Sequence, residues 1–355
     1  MESEHITAQG KVKAFLERKN IIFSAKRYGI DALGAMAQGL FASLLIGTII
    51  GTLGQQTGLQ FFVDAGNFAK GVAGPAMAIS IGYALQAPQL VLFSLLAVGA
   101  AANGLGGAGG PLAVLLVSIV AAECGKAVSK ETKVDILVTP FVTIVVGVLL
   151  SVWFAPAIGT AASSLGGLIM WATELQPFFM GIIVSVVVGC ALTLPISSAA
   201  ICAALGLTGL AGGAAVAGCC AQMVGFAAMS YHENGVGGLV SQGLGTSMLQ
   251  MGNIVHNPRI WIPPTLAAAI TGPLSTCVFH LEMNGAPISA GMGTCGLVGQ
   301  IGVYTGWVQG GLTPAQMDWV GLVLISFVLP AVLSLLFGRM LCWAGWIHEG
   351  DLKLD

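Results

Sequence analysis

The residues best placed to do chemistry are His232 and Glu233, adjacent in the stretch YHENGVGG at 231–238. Between Glu174 and Glu233 the chain has no Asp, Glu, Lys or Arg. An imidazole and a carboxylate in so apolar a run can exchange a proton or hydrogen-bond the hydroxyls of a small solute. Ionisable groups inside a bilayer are costly, so they are functional candidates by default. Asn234 and Gly235 follow, and a glycine lets backbone N–H groups come close to a ligand. His280 and Glu282, in HLEMN at 280–284, repeat the pairing at the end of another apolar run. Arg259, in HNPR, can pair with a buried carboxylate or an anionic solute. For each, the plainer alternative is a solvated loop or helix end.

Other polar residues have simpler readings. Glu174 is expected at an interface with water, and Glu123 beside the lysine that ends its helix. Asp64 and Lys70 are expected in a loop. Asp135 and Asp318 are expected at helix starts, where a carboxylate caps free N–H groups. Arg339, near the end of the last apolar run, can snorkel. The eight cysteines form no CxxC and no Cys/His spacing, so they read as small buried residues. No metal, cofactor or nucleic-acid partner is expected.

The elements that hold these residues follow from composition. The 355 residues are 56% hydrophobic and 8% charged, against about 25% charged in a soluble domain. Such a chain cannot cover a water-facing surface and belongs in a lipid bilayer, as an all-α polytopic membrane protein. Apolar stretches near the roughly 20 residues a spanning helix needs, together with shorter ones, predict about ten transmembrane helices. Fifty-one glycines point to close helix contacts and to broken or re-entrant segments, which survive at membrane depth only inside protein or beside a cavity. The glycine-rich GMGTCGLVGQIG at 291–302 lacks a phosphate-loop pattern and reads as a broken helix lining a cavity. Residues 1–30 are polar and basic and are no cleavable signal peptide. Their lysines and arginines put the N-terminus in the cytoplasm, as in a multi-pass protein of the cell inner membrane.

Three landmarks recur in order in both halves: QGLFASLLIGTIIG at 38–51 with QPFFMGIIVSVVVG at 176–189, NGLGG at 103–107 with NGVGG at 234–238, and KVDILVTPFVTI at 133–144 with NPRIWIPPTLAA at 257–268. Each half then reaches an Ala-Pro turn, at Ala155 and Pro156 and at Ala286 and Pro287. The predicted organisation is therefore a basic segment at 1–30, repeat 1 at 31–166, repeat 2 at 167–310, and a C-terminal transmembrane helix and tail at 311–355. The unequal lysine content of the matched loops favours inverted repeats, a build in which solute sites lie where the halves meet. Asn103 enters the candidate set as the counterpart of Asn234. The imidazole and carboxylate have no counterpart in the first half, where Ala101 and Ala102 stand.

Three segments, RYGIDALGAMAQGLFASLLIGTIIGTLG at 27–54, the NGVGG region, and NGAPISAGMGTCGLVGQIG at 284–302, resemble phosphotransferase-system EIIC-like membrane proteins of the perfringolysin-regulator (PfoR) type. The resemblance covers nearly the whole chain. It implies a permease related to sugar-transporting EIIC proteins, with a His and a Glu near the midplane, a role that His232 and Glu233 fit. Since only residues 344–355 follow the last apolar run, it also implies either that separate soluble phosphotransferase components act in trans or that transport proceeds without phosphorylation. A homodimer is expected by analogy. The expected function is transport of a small polar solute, a sugar among them, by alternating access, and not an enzymatic reaction. The alternative is a membrane-embedded regulator or sensor that binds a ligand without moving it.

Overall fold

In hydrocarbon a backbone N–H or C=O has no water to bond, so an apolar chain satisfies its own polar groups by forming helices. The computed structural model describes residues 8–311 and 314–354. Residues 1–7 of the basic segment, and 312, 313 and 355 of the C-terminal segment, lie outside the described residues. The described chain is all-helical, with one isolated bridge between Gly209 and Met283.

After α1 (Ala8–Arg18), a continuous rod spans Arg27–Thr57 and contains α2 (Ala32–Leu40) and α3 (Ile46–Thr57). Next come α4 (Gln60–Gly71), α5 (Ala73–Ala84), α6 (Gln89–Gly106), α7 (Gly110–Val128) and α8 (Asp135–Thr173). The second half holds α9 (Pro177–Thr193), α10 (Ser198–Ala204), α11 (Gly209–Met229), α12 (Tyr231–Val240), α13 (Met251–His256), α14 (Ile262–Pro273) and α15 (Val298–Gln309). A last rod, Gln316–Trp343, contains α16 (Gln316–Val323) and α17 (Leu329–Trp343).

Five helical stretches are long and apolar enough to cross a membrane: Arg27–Thr57, Gln89–Val128, Asp135–Thr173, Gly209–Met229 and Gln316–Trp343. One of these is folded back on itself. Gly107 has φ 51 and ψ −123, a conformation essentially confined to glycine, and the chain reverses there. A Cβ on Gly125, near the end of α7, would lie 2.9 Å from Val91 at the start of α6. Helices α6 and α7 therefore form an antiparallel hairpin, and α8 packs along both.

Glycine also sets the helix spacing. Gly74 of α5 faces Gly99 of α6 so closely that a Cβ on either would strike the other's carbonyl oxygen. A Cβ on Gly272 of α14 would likewise strike the Gly181 carbonyl oxygen of α9, and one on Gly181 the Gly272 carbonyl carbon. Such small-on-small crossings let dispersion and close packing hold helices together where lipid removes the hydrophobic drive. Gly99→Val is expected to cost at least about 1–3 kcal/mol by overpacking. Gly104→Ala, on the same helix with nothing near its Cβ, should stabilise by a few tenths to about 1 kcal/mol. Thermal unfolding of the two purified variants checks the pair; equal melting temperatures would contradict this packing.

Two expectations need correction. Asp64 and Lys70 lie on α4, not in a loop, because α4 packs on α3 through Gly47, Gly51, Gly54 and Gly66. Ala155 and Pro156 make no turn but sit inside α8, which runs 39 residues through two prolines. At 1.5 Å per residue that is about 58 Å, nearly twice the bilayer core. By contrast, Pro287 does open a short turn, Pro287–Gly291. The matched NGLGG and NGVGG each contain a glycine break, at Gly107 in the first and Gly235 (φ 59, ψ −154) in the second. Other readings match what is seen. Asp135 starts α8, and Asp318 accepts the Ala315 N–H at the start of α16. Glu123 pairs with Lys126 at 2.9 Å. Of the eight cysteines expected to be buried, Cys202, Cys219, Cys220 and Cys295 are, Cys124 and Cys190 are half-buried, and Cys277 and Cys342 are exposed.

Candidate functional site

The candidates from sequence go to three separate places. Helix α11, about 30 Å long at 1.5 Å per residue, separates His232 and Glu233 beyond its C-terminus from His280 and Glu282 near its start, where Gly209 pairs with Met283. Glu282 is exposed and accepts a bond from Asn284 at 2.8 Å, and His280 is exposed. Asn103 lies half-buried near the tip of the α6–α7 hairpin, its side-chain oxygen 2.6 Å from where a Cβ on Gly110 would stand.

Glu233 and Asn234 hold the C-terminal tail. The Glu233 carboxylate accepts the N–H of Gly350 on one oxygen and of Leu352 on the other, both at 3.1 Å. Asn234 donates to the Leu352 carbonyl and accepts the N–H of Leu354, both at 2.8 Å. Gly235, with its positive φ, turns the helix immediately after them. A chain of buried amides continues the clasp: Ser230 accepts from Gln242, Gln242 accepts from Gln250, and Gln250 accepts from Asn253. Gln250 and Asn253 then donate to the carbonyls of Leu352 and Lys353, both at 2.9 Å. Asn257 donates to the Trp346 carbonyl, and Arg259 lies over the Trp346 ring, 5.2 Å from its centre. The exposed His232 lines an apolar groove of about 520 Å³ between α11, α17 and the tail, with Arg339 on its wall.

The N-terminal segment meets this same end. Ile30 packs on Gly252 of α13. Arg18 and Lys19 pair with Glu131 in the α7–α8 connection at 2.8 and 2.5 Å, and hydrogen bonding from Lys19 is the main cause holding the Glu131 carboxyl below its usual range. Apart from Lys70, the lysines and arginines with described side chains all lie in the N-terminal segment, at residues 126–133, or around the docked tail.

Between the halves lie two cavities along the rod Arg27–Thr57. A vestibule of about 510 Å³ opens at the basic end, with Asp31 and Gln38 of the rod on one side, Ser241 and Asn253 on the other, and Lys353 and Leu354 of the tail at its edge. Further along the rod is a cleft of about 410 Å³. The first half contributes Thr48, Thr52, Gln55 and Gln56 of α3 and Lys70 of α4. The second half contributes Ser197, Ser289 and Thr305, with Met292 and Val298 from the glycine-rich broken segment. Gly293, Gly296 and Leu297 there have positive φ, so the backbone wraps the cleft before α15 begins. On the rod, between Gln38 of the vestibule and Leu44 of the cleft in sequence, the Phe41 ring fills the space a Cβ on Gly245 would need. The broken segment 291–302 lines a cavity as expected, but sequence reasoning missed the opposite wall of the cleft, on α3 and α4. Its available signals were the Gln55 and Gln56 pair and a lysine at position 70 far from every other basic residue.

Searches of curated proteins and of solved structures find no match to the chain. Among protein families, the model described as "Phosphotransferase system, EIIC" matches residues 30–354. The match takes in both halves, both cavities and the tail clasp. EIIC proteins are membrane transport subunits that work with soluble phosphotransferase components. The all-helical fold, with five helical stretches long and apolar enough to cross a membrane, fits such a subunit, and the chain belongs to the phosphotransferase-system EIIC family.

Proposed function

We propose that this protein moves a small polar solute, a sugar or sugar derivative, through the cleft between its halves by alternating access. The observation that carries the reading is the pair of cavities along one rod, with Phe41, between Gln38 of the vestibule and Leu44 of the cleft in sequence, packed against Gly245. Displacing one half against the other would open the cleft to the vestibule, as in two-part transporters. The cleft has the size of a small-molecule site and few placed polar groups on an apolar wall, as such sites do. Glu233 and Asn234 then bear on transport by holding the tail beside the vestibule, and His232 and Arg259 flank that tail. His280, Glu282 and Asn103 lie off the cleft wall.

The basic cluster around both termini supports a cytoplasmic N-terminus in the inner membrane, with the vestibule facing the cytoplasm. Soluble phosphotransferase components would then reach the solute from that side. The shared landmarks in the two halves support a repeat with inverted orientation, and crossings beyond the five long stretches would come from the α6–α7 reversal and shorter helices such as α9. A homodimer is part of the same reading. Purified protein is to be screened against solutes for thermal stabilisation, then reconstituted into vesicles. Flux of a stabilising solute is the expected result. Stabilisation without flux would instead favour a membrane-embedded sensor.

A further inference from the structure

Lys70 is out of place for a membrane protein of this charge pattern. The other lysines and arginines with described side chains gather at the end that holds both termini, whereas Lys70 lies in the cleft, half-buried. Its ammonium rests across Gly51 of α3, 3.8 Å from where a Cβ would stand there. No carboxylate lines the cleft. Among the described residues Lys70 makes no ion pair and donates no side-chain hydrogen bond. The acid on its own helix, Asp64, is exposed and bound to Gln60 at 2.8 Å. Lysine in the last turn of a helix ordinarily serves the free carbonyls there, yet the ammonium of Lys70 reaches none. A half-buried ammonium with no carboxylate beside it gives the cleft a positive field, and a ligand that brings the negative charge is favoured there.

We propose that the solute is an anion, a polyhydroxylated small molecule bearing a carboxylate or a phosphate that Lys70 receives. This rests on the cleft being the solute site. The ammonium contacts the anionic group, and Gln55, Gln56, Thr52 and Thr305 hydrogen-bond the hydroxyls. An ionised partner makes such bonds about twice as strong as neutral ones, so charge decides which solutes enter and the neutral groups fix their orientation.

The test uses three probes with one carbon chain: sorbitol, gluconate and sorbitol 6-phosphate. Binding to the full-length purified protein is measured by thermal shift and calorimetry. At least one anion is expected to bind about tenfold or more tighter than sorbitol, with affinity falling as salt rises. Lys70→Gln should weaken that anion about 10–100-fold, the worth of a charged hydrogen bond, and leave sorbitol unchanged. Lys70→Arg should retain most of the binding. The gluconate and phosphate arms separate the two anionic classes. Equal binding of sorbitol and both anions, no binding of either anion, or an anion insensitive to Lys70→Gln overturns the proposal. Thr52→Trp, which fills the cleft, separates the two levels. If it abolishes binding while Lys70→Gln does not, the cleft stands and the anion falls. If any of the three probes binds and Thr52→Trp leaves that binding unchanged, the cleft itself falls.

Discussion

Lys126→Met is expected to destabilise the protein by about 3–5 kcal/mol, the usual cost of breaking a buried ion pair from one side. Lys126 is 1% exposed. Its ammonium donates to the Asn20 carbonyl at 2.7 Å and the Leu85 carbonyl at 3.0 Å, and forms an ion pair with the Glu123 carboxylate at 2.9 Å. One ammonium thus ties the N-terminal segment and the α5–α6 turn to the end of α7. Glu123 also accepts from the Tyr28 hydroxyl at 3.0 Å, so loss of Lys126 leaves a mostly buried carboxylate without its counter-charge and the Asn20 carbonyl without its donor, while the Leu85 carbonyl keeps Arg27. Glu123→Leu combined with Lys126→Met should recover part of the loss, since an apolar pair often replaces a buried ionic one without penalty. Thermal unfolding in detergent reads the effect. A Lys126→Met protein that melts within a degree of the wild type would show that this ammonium does not hold the three segments together.

Glu233→Ala is expected to release the tail without unfolding the rest. It removes the acceptor for two N–H groups, and a hydrogen bond to a charged group contributes about 1.5–3 kcal/mol. Glu233 is partly exposed, so the combined loss should lie near the lower end, about 2–4 kcal/mol. Asn253 and Asn257 keep their tail bonds, and Ile347 and Leu352 stay apolar anchors, 4% and 5% exposed. Amide exchange over residues 346–354 should rise, while α11 and α14 stay protected. Glu233→Gln should act in the same direction but less, because one amide oxygen can still accept while the NH2 faces an N–H. Flux lost in Glu233→Gln with the tail still protected would assign the carboxylate to the solute instead.

These two sites show what could be read in the chain. Glu123 and Lys126 are three residues apart, so their pairing on one helix face was legible. So were the helix starts at Asp135 and Asp318, where the relevant bonds are local. The oddity of Glu233 in an apolar run was equally visible, but its partners lie 117 and 119 residues away, and no periodicity carries that information. The α3 and α4 wall of the cleft was hidden for a related reason. Its threonines and glutamines look like ordinary helix-surface residues until α4, α15 and the broken segment surround them. Hydropathy marked the long rods, yet it could not tell that Gln89–Val128 reverses at Gly107 while α8 runs on through Pro156. Those outcomes depend on single dihedral angles and on which neighbour a helix meets.

The most direct test of the central claim is solute flux in vesicles by Thr52→Trp beside the wild type, using a solute that stabilises the wild type. Thr52 is on the cleft wall and away from the tail clasp and the Lys126 knot. The variant is predicted to melt at the wild-type temperature, to gain no stability from the solute and to carry no flux. A folded Thr52→Trp protein that transports at the wild-type rate would contradict the cleft as the path.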